Sequence, residues 1–140
     1  MSERHLTRTA VFVMLEKNDE IFFLRRANTS WGSGLLTIPV GHIEKGDQVR
    51  ETAIKEAKEE ACVDIEINDL EFLHTDYVRD IYTNFYFQAK KWTGEPAIGE
   101  PELASEALWI NKNNLPDDIT PQLKNLFEKI KQNSYFSEIE

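Results

Sequence analysis

One cysteine, Cys62, stands in a chain of 140 residues. A single cysteine excludes an internal disulfide and a zinc site built from several thiolates, and it points to a reducing compartment, the cytoplasm. No apolar run approaches the length of a membrane span, and the charged opening segment, Met-Ser-Glu-Arg-His-Leu-Thr-Arg, has no apolar stretch of signal-peptide length. Neither a span nor a leader is therefore expected. Basic charge is scarce, with 16 Lys and Arg against 25 Asp and Glu and a net charge of −9. That balance argues against a nucleic-acid polymer as partner, because such binding needs a positive footprint to displace counterions. Small phosphorylated ligands remain open to it, since a cation held by carboxylates makes a locally positive site on an acidic protein. Repeats and low-complexity segments are also missing. The length suits one domain, residues 1–140, with a core that needs no covalent staples.

Charge is concentrated in one place. Glu56, Glu59 and Glu60 fall at i, i+3 and i+4, which on a helix puts their side chains on one face with β-carbons about 5–6 Å apart. Like charges so placed repel, by about 0.2–0.5 kcal/mol per pair on an exposed helix, and a bound divalent cation reverses that cost. Lys55 and Lys58 intersperse these acids, and Glu51 and Lys55 have the spacing of an ordinary i,i+4 pair, so charge alone allows a solvated helix face. The preceding loop favours a ligand site. The apolar segment Leu35-Leu36-Thr37-Ile38-Pro39 feeds Gly41, Glu44 lies inside the loop, and Gly46 gives the backbone a second point of tight turning. Mg²⁺ prefers one or two carboxylates, waters and substrate phosphate oxygens, so the pattern points to chemistry on a phosphorylated ligand.

The spacing from Gly41 to Val63 resembles the signature of the Nudix hydrolases, of the MutT-like kind: a Gly, five residues, a Glu, seven residues, then Arg-Glu-aliphatic-x-Glu-Glu-x-Gly-aliphatic. Gly41 opens the pattern, Glu56, Glu59 and Glu60 occupy the helix acids, and Ala57 and Val63 the aliphatic positions. Asp47 stands for the first Glu, Lys55 for the Arg and Cys62 for the closing Gly. The resemblance implies Mg²⁺ or Mn²⁺ held by Gly41, Glu56, Glu59 and Glu60, with a further acid, Glu100 or Glu102, brought from the segment after Trp92. It implies that Asp47 and Lys55 support the loop, more weakly than a forked Arg would. It also implies hydrolysis of a nucleoside diphosphate linked to another group. The expected reaction cuts a nucleoside triphosphate to monophosphate and pyrophosphate, with one of the helix acids, Glu56 ahead of Glu59 and Glu60, or a loop acid as the proton acceptor. A hydrolase of nucleotide sugars such as ADP-ribose, or a nucleotide sensor without turnover, are the alternatives.

Arg26, His42 and Glu44 are the candidate substrate contacts. Arg25 and Arg26 are adjacent on a strand and so face opposite sides, which lets one of them point at the site. His42 adjoins Gly41, although a hydrogen-bonded loop histidine would explain it equally. Trp31, Tyr77, Tyr82 and Phe85 are of the type that stacks on a base, but most of them are expected in the core. Cys62 is expected at a left-handed helix end.

Along the chain, apolar and β-branched runs predict a hairpin of strands at Thr9–Leu15 and Ile21–Leu24 turning at Asn18-Asp19. Further strands are predicted at Leu35–Val40, Leu70–Val78, Ile81–Trp92 and Glu106–Ile110. The acidic helix should bury Val49, Ala53, Ile54, Ala57 and Ala61, and a last helix, Pro121–Ile130, should turn Leu123, Leu126, Phe127 and Ile130 inward. Residues Asn133–Glu140 read as a frayed tail. Together these elements predict an α/β class, an α/β/α sandwich around a mixed β-sheet. A homodimer is compatible with the sequence.

Overall fold

The computed structural model describes residues 3–140. Eight strands and two helices follow in order: β1 (Arg8–Lys17), β2 (Glu20–Arg26), β3 (Leu36–Thr37), β4 (Val40–His42), α1 (Val49–Ala61), β5 (Leu70–Val78), β6 (Tyr82–Ala89), β7 (Ala104–Asn111), α2 (Pro121–Lys131) and β8 (Phe136–Ile139). Asn18 and Asp19 both take positive φ, as a two-residue hairpin turn requires, and they join β1 to β2.

The strands form one mixed sheet in the order β3-β2-β1-β6-β5-β8, with β4 paired to β1 and β7 to β2. β1 runs parallel to β6 from Arg8 to Leu15. Its other edge is shared: Ala10–Phe12 pair with β4, and Glu16–Lys17 pair with β2. The sheet therefore forks at β1, and β4 delivers Gly41 and His42 into the fork.

Alternation along β1 builds the two cores. Val11, Val13 and Leu15 point to α1, where Ala53, Ala57 and Ala61 let the helix lie close to the sheet. Ala10, Phe12 and Met14 point to α2 and meet Leu123, Leu126 and Phe127. This is the expected sandwich, and the inward stripes of both helices fall where their periodicity predicts.

Three local expectations need correction. The Leu35–Val40 strand is broken into β3 and β4 at Ile38-Pro39, since Pro39 has no N–H to give a ladder, although its carbonyl still accepts from Val13 N–H at 2.9 Å. The Ile81–Trp92 run leaves the sheet after Ala89. The supposed tail is a strand: β8 pairs parallel with Thr75–Val78 of β5, and buried His74 fixes it through Ser134 O at 2.9 Å and Ser137 Oγ at 2.8 Å. These contacts are tertiary, which is why the polar sequence carried no periodic sign of them. Among the described residues no helix is long and apolar enough to cross a membrane.

Candidate active site

α1 begins where Gln48 turns out of an extended backbone, and the Glu51 carboxylate reaches back to Gln48 N–H at 3.3 Å. Glu51 thus serves the helix start instead of pairing with Lys55. The helix ends at Cys62, whose φ of 63° is left-handed, with its N–H directed at Ala57 O and Lys58 O. The Gly position of the signature pattern is therefore occupied by a cysteine in the glycine conformation.

Between these ends, Glu56 and Glu60 face β4, while Glu59 is exposed. Val40 N–H donates to Glu60 Oε1 at 3.0 Å. Glu56, only 9% exposed, lies under Gly41, where an added β-carbon would overlap its carboxyl group. Glu56 and Glu60 share a side-chain hydrogen bond, and burial raises both their pKa values, Glu60's to about 9. Repulsion from Glu59 and Glu100 adds to the rise at Glu56, and repulsion from Glu56 and Glu100 adds to it at Glu60.

The Ala97–Gly99 segment closes over the end of α1. Ala97 N–H donates to Ala61 O and Gly99 N–H to Glu60 O, both at 3.0 Å, and a β-carbon on Gly99 would overlap the Glu59 carbonyl. This close approach carries Glu100 to the acids, and its own pKa is raised by burial and then by Glu59 and Glu102. Gly99 is the signal that sequence reading missed: a glycine just before an acid, needed for backbone contact with the helix.

Gly41, His42, Glu60, Glu100 and Arg26 line one cavity of about 250 Å³. Arg26 gives its Nε–H to Trp31 O at 3.1 Å and lies 5.4 Å from the Trp31 ring, whereas Arg25 is held away by Glu106 and Asp118, both at 2.8 Å. His42 Nε2 stands 2.8 Å from Tyr82 Oη. Two other candidates fall elsewhere. Glu44 is exposed, lines no part of this cavity and pairs with Lys55 at 3.7 Å. Lys55 therefore ties the loop to the helix through Glu44, with Asp47 a weaker electrostatic neighbour. Trp31 is 48% exposed beside Arg26 instead of buried in the core.

Among the described residues no three Asp, Glu, His or Cys side chains already stand as a closed metal cage. Glu60 is turned to Val40 N–H and Glu56 to Glu60, the arrangement that relieves repulsion between neighbouring acids. The donor chemistry nevertheless fits a hard cation. The acids gathered around Gly41, Glu56, Glu60 and Glu100, offer oxygen donors, and the glycine leaves the space that a carboxylate under β4 requires.

The family model and the curated relative place this mixed-sheet sandwich, with its carboxylate helix beneath a glycine strand, among hydrolases acting on phosphoric anhydrides. The NUDIX domain model matches residues 5–130, and the chain belongs to the Nudix family. It is 27% identical over 120 residues to the 8-oxo-dGTP diphosphatase of Escherichia coli K12, covering 84% of this chain and 93% of that protein. The fold matches the crystal structure of a MutT NUDIX hydrolase from Burkholderia pseudomallei with a TM-score of 0.80 at 19% identity, over 89% of this chain and 98% of that one. It matches a MutT protein from Methanosarcina mazei Go1 with a TM-score of 0.78 at 14% identity, over 94% and 98% of the two chains.

Proposed function

We propose that this Nudix enzyme hydrolyses nucleoside triphosphates to the monophosphate and pyrophosphate with Mg²⁺ or Mn²⁺. One observation carries the reading: Glu56, Glu60 and Glu100, from two separate segments, gather around Gly41 at a cavity that also receives Arg26. The 8-oxo-dGTP diphosphatase relative supports a triphosphate over a nucleotide sugar.

Glu56, Glu59, Glu60, Glu100 and the Gly41 carbonyl would hold the metal. When bound, the ion supplies positive charge to the phosphate oxygens and acidifies the attacking water. Glu56 accepts the water's proton, and its contact with Glu60 keeps its carboxyl group oriented. Arg26, whose Nε is occupied by Trp31 O, has its terminal nitrogens left to bind phosphate oxygens. His42, fixed by Tyr82, borders the same path.

The test is pyrophosphate release with Mg²⁺ across a panel of nucleoside triphosphates, 8-oxo-dGTP and ADP-ribose. Triphosphate cleavage to monophosphate and pyrophosphate is expected. Preferential cleavage of ADP-ribose would move the reading to nucleotide sugars, and tight binding without product would make the chain a sensor.

A further inference from the structure

β7 and β8 each pair with one neighbour, β2 and β5, so each leaves one edge of its backbone open. The two edges are finished differently. Along β8, Thr75 N–H and Arg79 N–H donate to Tyr135 O and Ile139 O, and alternation turns the backbone groups of Phe136 and Glu138 outward. Phe136 O is taken by Ser134 Oγ, and Glu138 sets an exposed carboxylate on the strand. A charge on an edge strand discourages further pairing.

β7 has no such guard. Lys112 N–H donates to Asp19 O at the end of the β2–β7 ladder, whose register pairs Ile21 with Ile110, Phe23 with Leu108 and Arg25 with Glu106. On the other flank of β2, Arg26 N–H donates to Leu35 O and Arg26 O accepts from Gly34 N–H, which leaves the groups of Arg25 and Phe23 for β7. Both observations give one alternation: Glu106, Leu108 and Ile110 face β2, and the N–H and C=O of Ala107 and Trp109 point away from the sheet. Among the described residues no loop or side chain bonds to those outward groups. The side chains around them are apolar on both faces and partly exposed, Ala107 and Trp109 towards α1, Leu108 and Ile110 towards α2. Glu106, the single charge on β7, is held by Arg25 at 2.8 Å.

We propose that β7 pairs antiparallel with β7 of a second copy of this chain, about a twofold axis at Leu108. The register selects that occupant, because the open edge is complementary to itself. With the axis at Leu108, Ala107 meets the partner's Trp109 and Trp109 meets the partner's Ala107, and each pair exchanges both of its free backbone groups. An axis at Ala107 would need Ser105, which lies at the β-bulge, and one at Trp109 would need Asn111, whose carbonyl already accepts from Asn114 N–H. Leu108 then lies against the partner's Leu108 and Glu106 against the partner's Ile110, so no like charges are opposed. The same operation at β8 would bring two copies of Glu138 into the seam. Each chain carries a net charge of −9, so the copies repel over long range and screening by salt strengthens the dimer.

Sedimentation velocity over a range of protein concentrations, at low and high salt, measures the dissociation constant. A reversible dimer that tightens with salt is expected. Ala107→Pro removes an N–H that points away from β2, a change that an edge strand tolerates, so it should keep the melting temperature and weaken the dimer about tenfold or more. Cross-linking in a Cys62→Ser background reads the register. Residues opposed at a non-hydrogen-bonded position have Cα atoms about 4.5 Å apart, within reach of a disulfide. Leu108→Cys should therefore form a covalent dimer under mild oxidation about fivefold faster or more than Ile110→Cys, which faces Glu106. Should Ala107→Pro melt early, the cysteine pair decides alone. A monomer at every concentration and salt overturns the proposal, even if the edge takes up a foreign strand. So does a dimer that folded Ala107→Pro leaves unchanged, or cross-linking at equal rates through the two cysteines.

Discussion

Glu16 and Glu56 are almost equally hidden, at 8% and 9% exposure, and the protein treats them in opposite ways. Glu16, at the far end of β1, accepts from Gln88 Nε2 at 2.7 Å and from Lys112 Nζ at 3.0 Å, so its charge is answered within the chain. Glu56 faces another carboxyl, that of Glu60, and is repelled by Glu59 and Glu100. Among the described residues, the nearest cationic influence on it is Lys55, which is exposed and paired with Glu44. Both arrangements come from one sequence, so the acidic cluster is not a failure to find a partner. Glu16 receives lysine and glutamine donors from the protein, whereas the cluster at Gly41 does not, which supports the proposal that its charge is met by a bound cation.

The largest effect expected from that contrast is kinetic. Glu56→Gln, Glu59→Gln and Glu60→Gln should each lower kcat by about 100-fold or more and raise the metal concentration needed, with the fold intact. Glu16→Gln should leave activity per folded molecule near that of the wild type while lowering the melting temperature, because Lys112 loses its buried partner. Pyrophosphate release and thermal melts on all four variants decide this. Glu51→Gln is a further control, as Gln can still reach Gln48 N–H. Equal kinetic losses in Glu16→Gln and Glu59→Gln would erase the difference between the two regions.

Gly41→Ala should come next. Its β-carbon would meet the Glu56 carboxyl, so either the strand or the acid must move. We expect a loss of turnover of about tenfold or more together with a lower melting temperature, since overpacking of this kind costs about 1–3 kcal/mol. Wild-type turnover in a folded Gly41→Ala protein would show that Glu56 does not need its place under β4.

A pH titration sharpens the comparison without touching the backbone. Glu60's pKa is raised from 4.5 to about 9, so over that window the native state holds a proton that the unfolded state has released. Stability from this group is complete below pH 4.5 and is lost as pH rises towards 9. Metal-free protein should therefore melt at progressively lower temperature across that range. Glu60→Gln should flatten the slope, and Mg²⁺ should raise the melting temperature most at the alkaline end. Chelation should abolish turnover at any pH. A wild-type slope that persists in Glu60→Gln would assign the effect to another group.

Much of this was readable from the chain because it is periodic. The i, i+3, i+4 spacing of Glu56, Glu59 and Glu60 gave the acidic face, and the alternation of β1 gave both cores. Contacts between distant segments left weaker marks. The capture of Glu60 by Val40 N–H depends on how β4 enters the fork, and β8 is held only by β5 and His74. Glu44 looked like a ligand-facing acid because its composition does not reveal that Lys55 reaches it.

The smallest expected effect isolates helix position from helix charge. Cys62 holds a φ of 63° at the end of α1, a conformation that costs a non-glycine residue about 1–2 kcal/mol. Cys62→Gly removes that strain, but glycine also gives the unfolded chain more freedom, which opposes the gain by about 0.4–1 kcal/mol. The two nearly cancel, so the melting temperature should stay the same or rise slightly. The turn directs Cys62 N–H to Ala57 O and Lys58 O and leads into buried Val63, while no carboxylate changes. Turnover should therefore match the wild type. A clear drop in melting temperature would mean that the Cys62 side chain contributes packing that outweighs its strain. A drop in kcat at unchanged melting temperature would mean that the acids respond to the helix end itself, and the contrast with Glu16 would then have to be drawn from backbone placement as well as from charge.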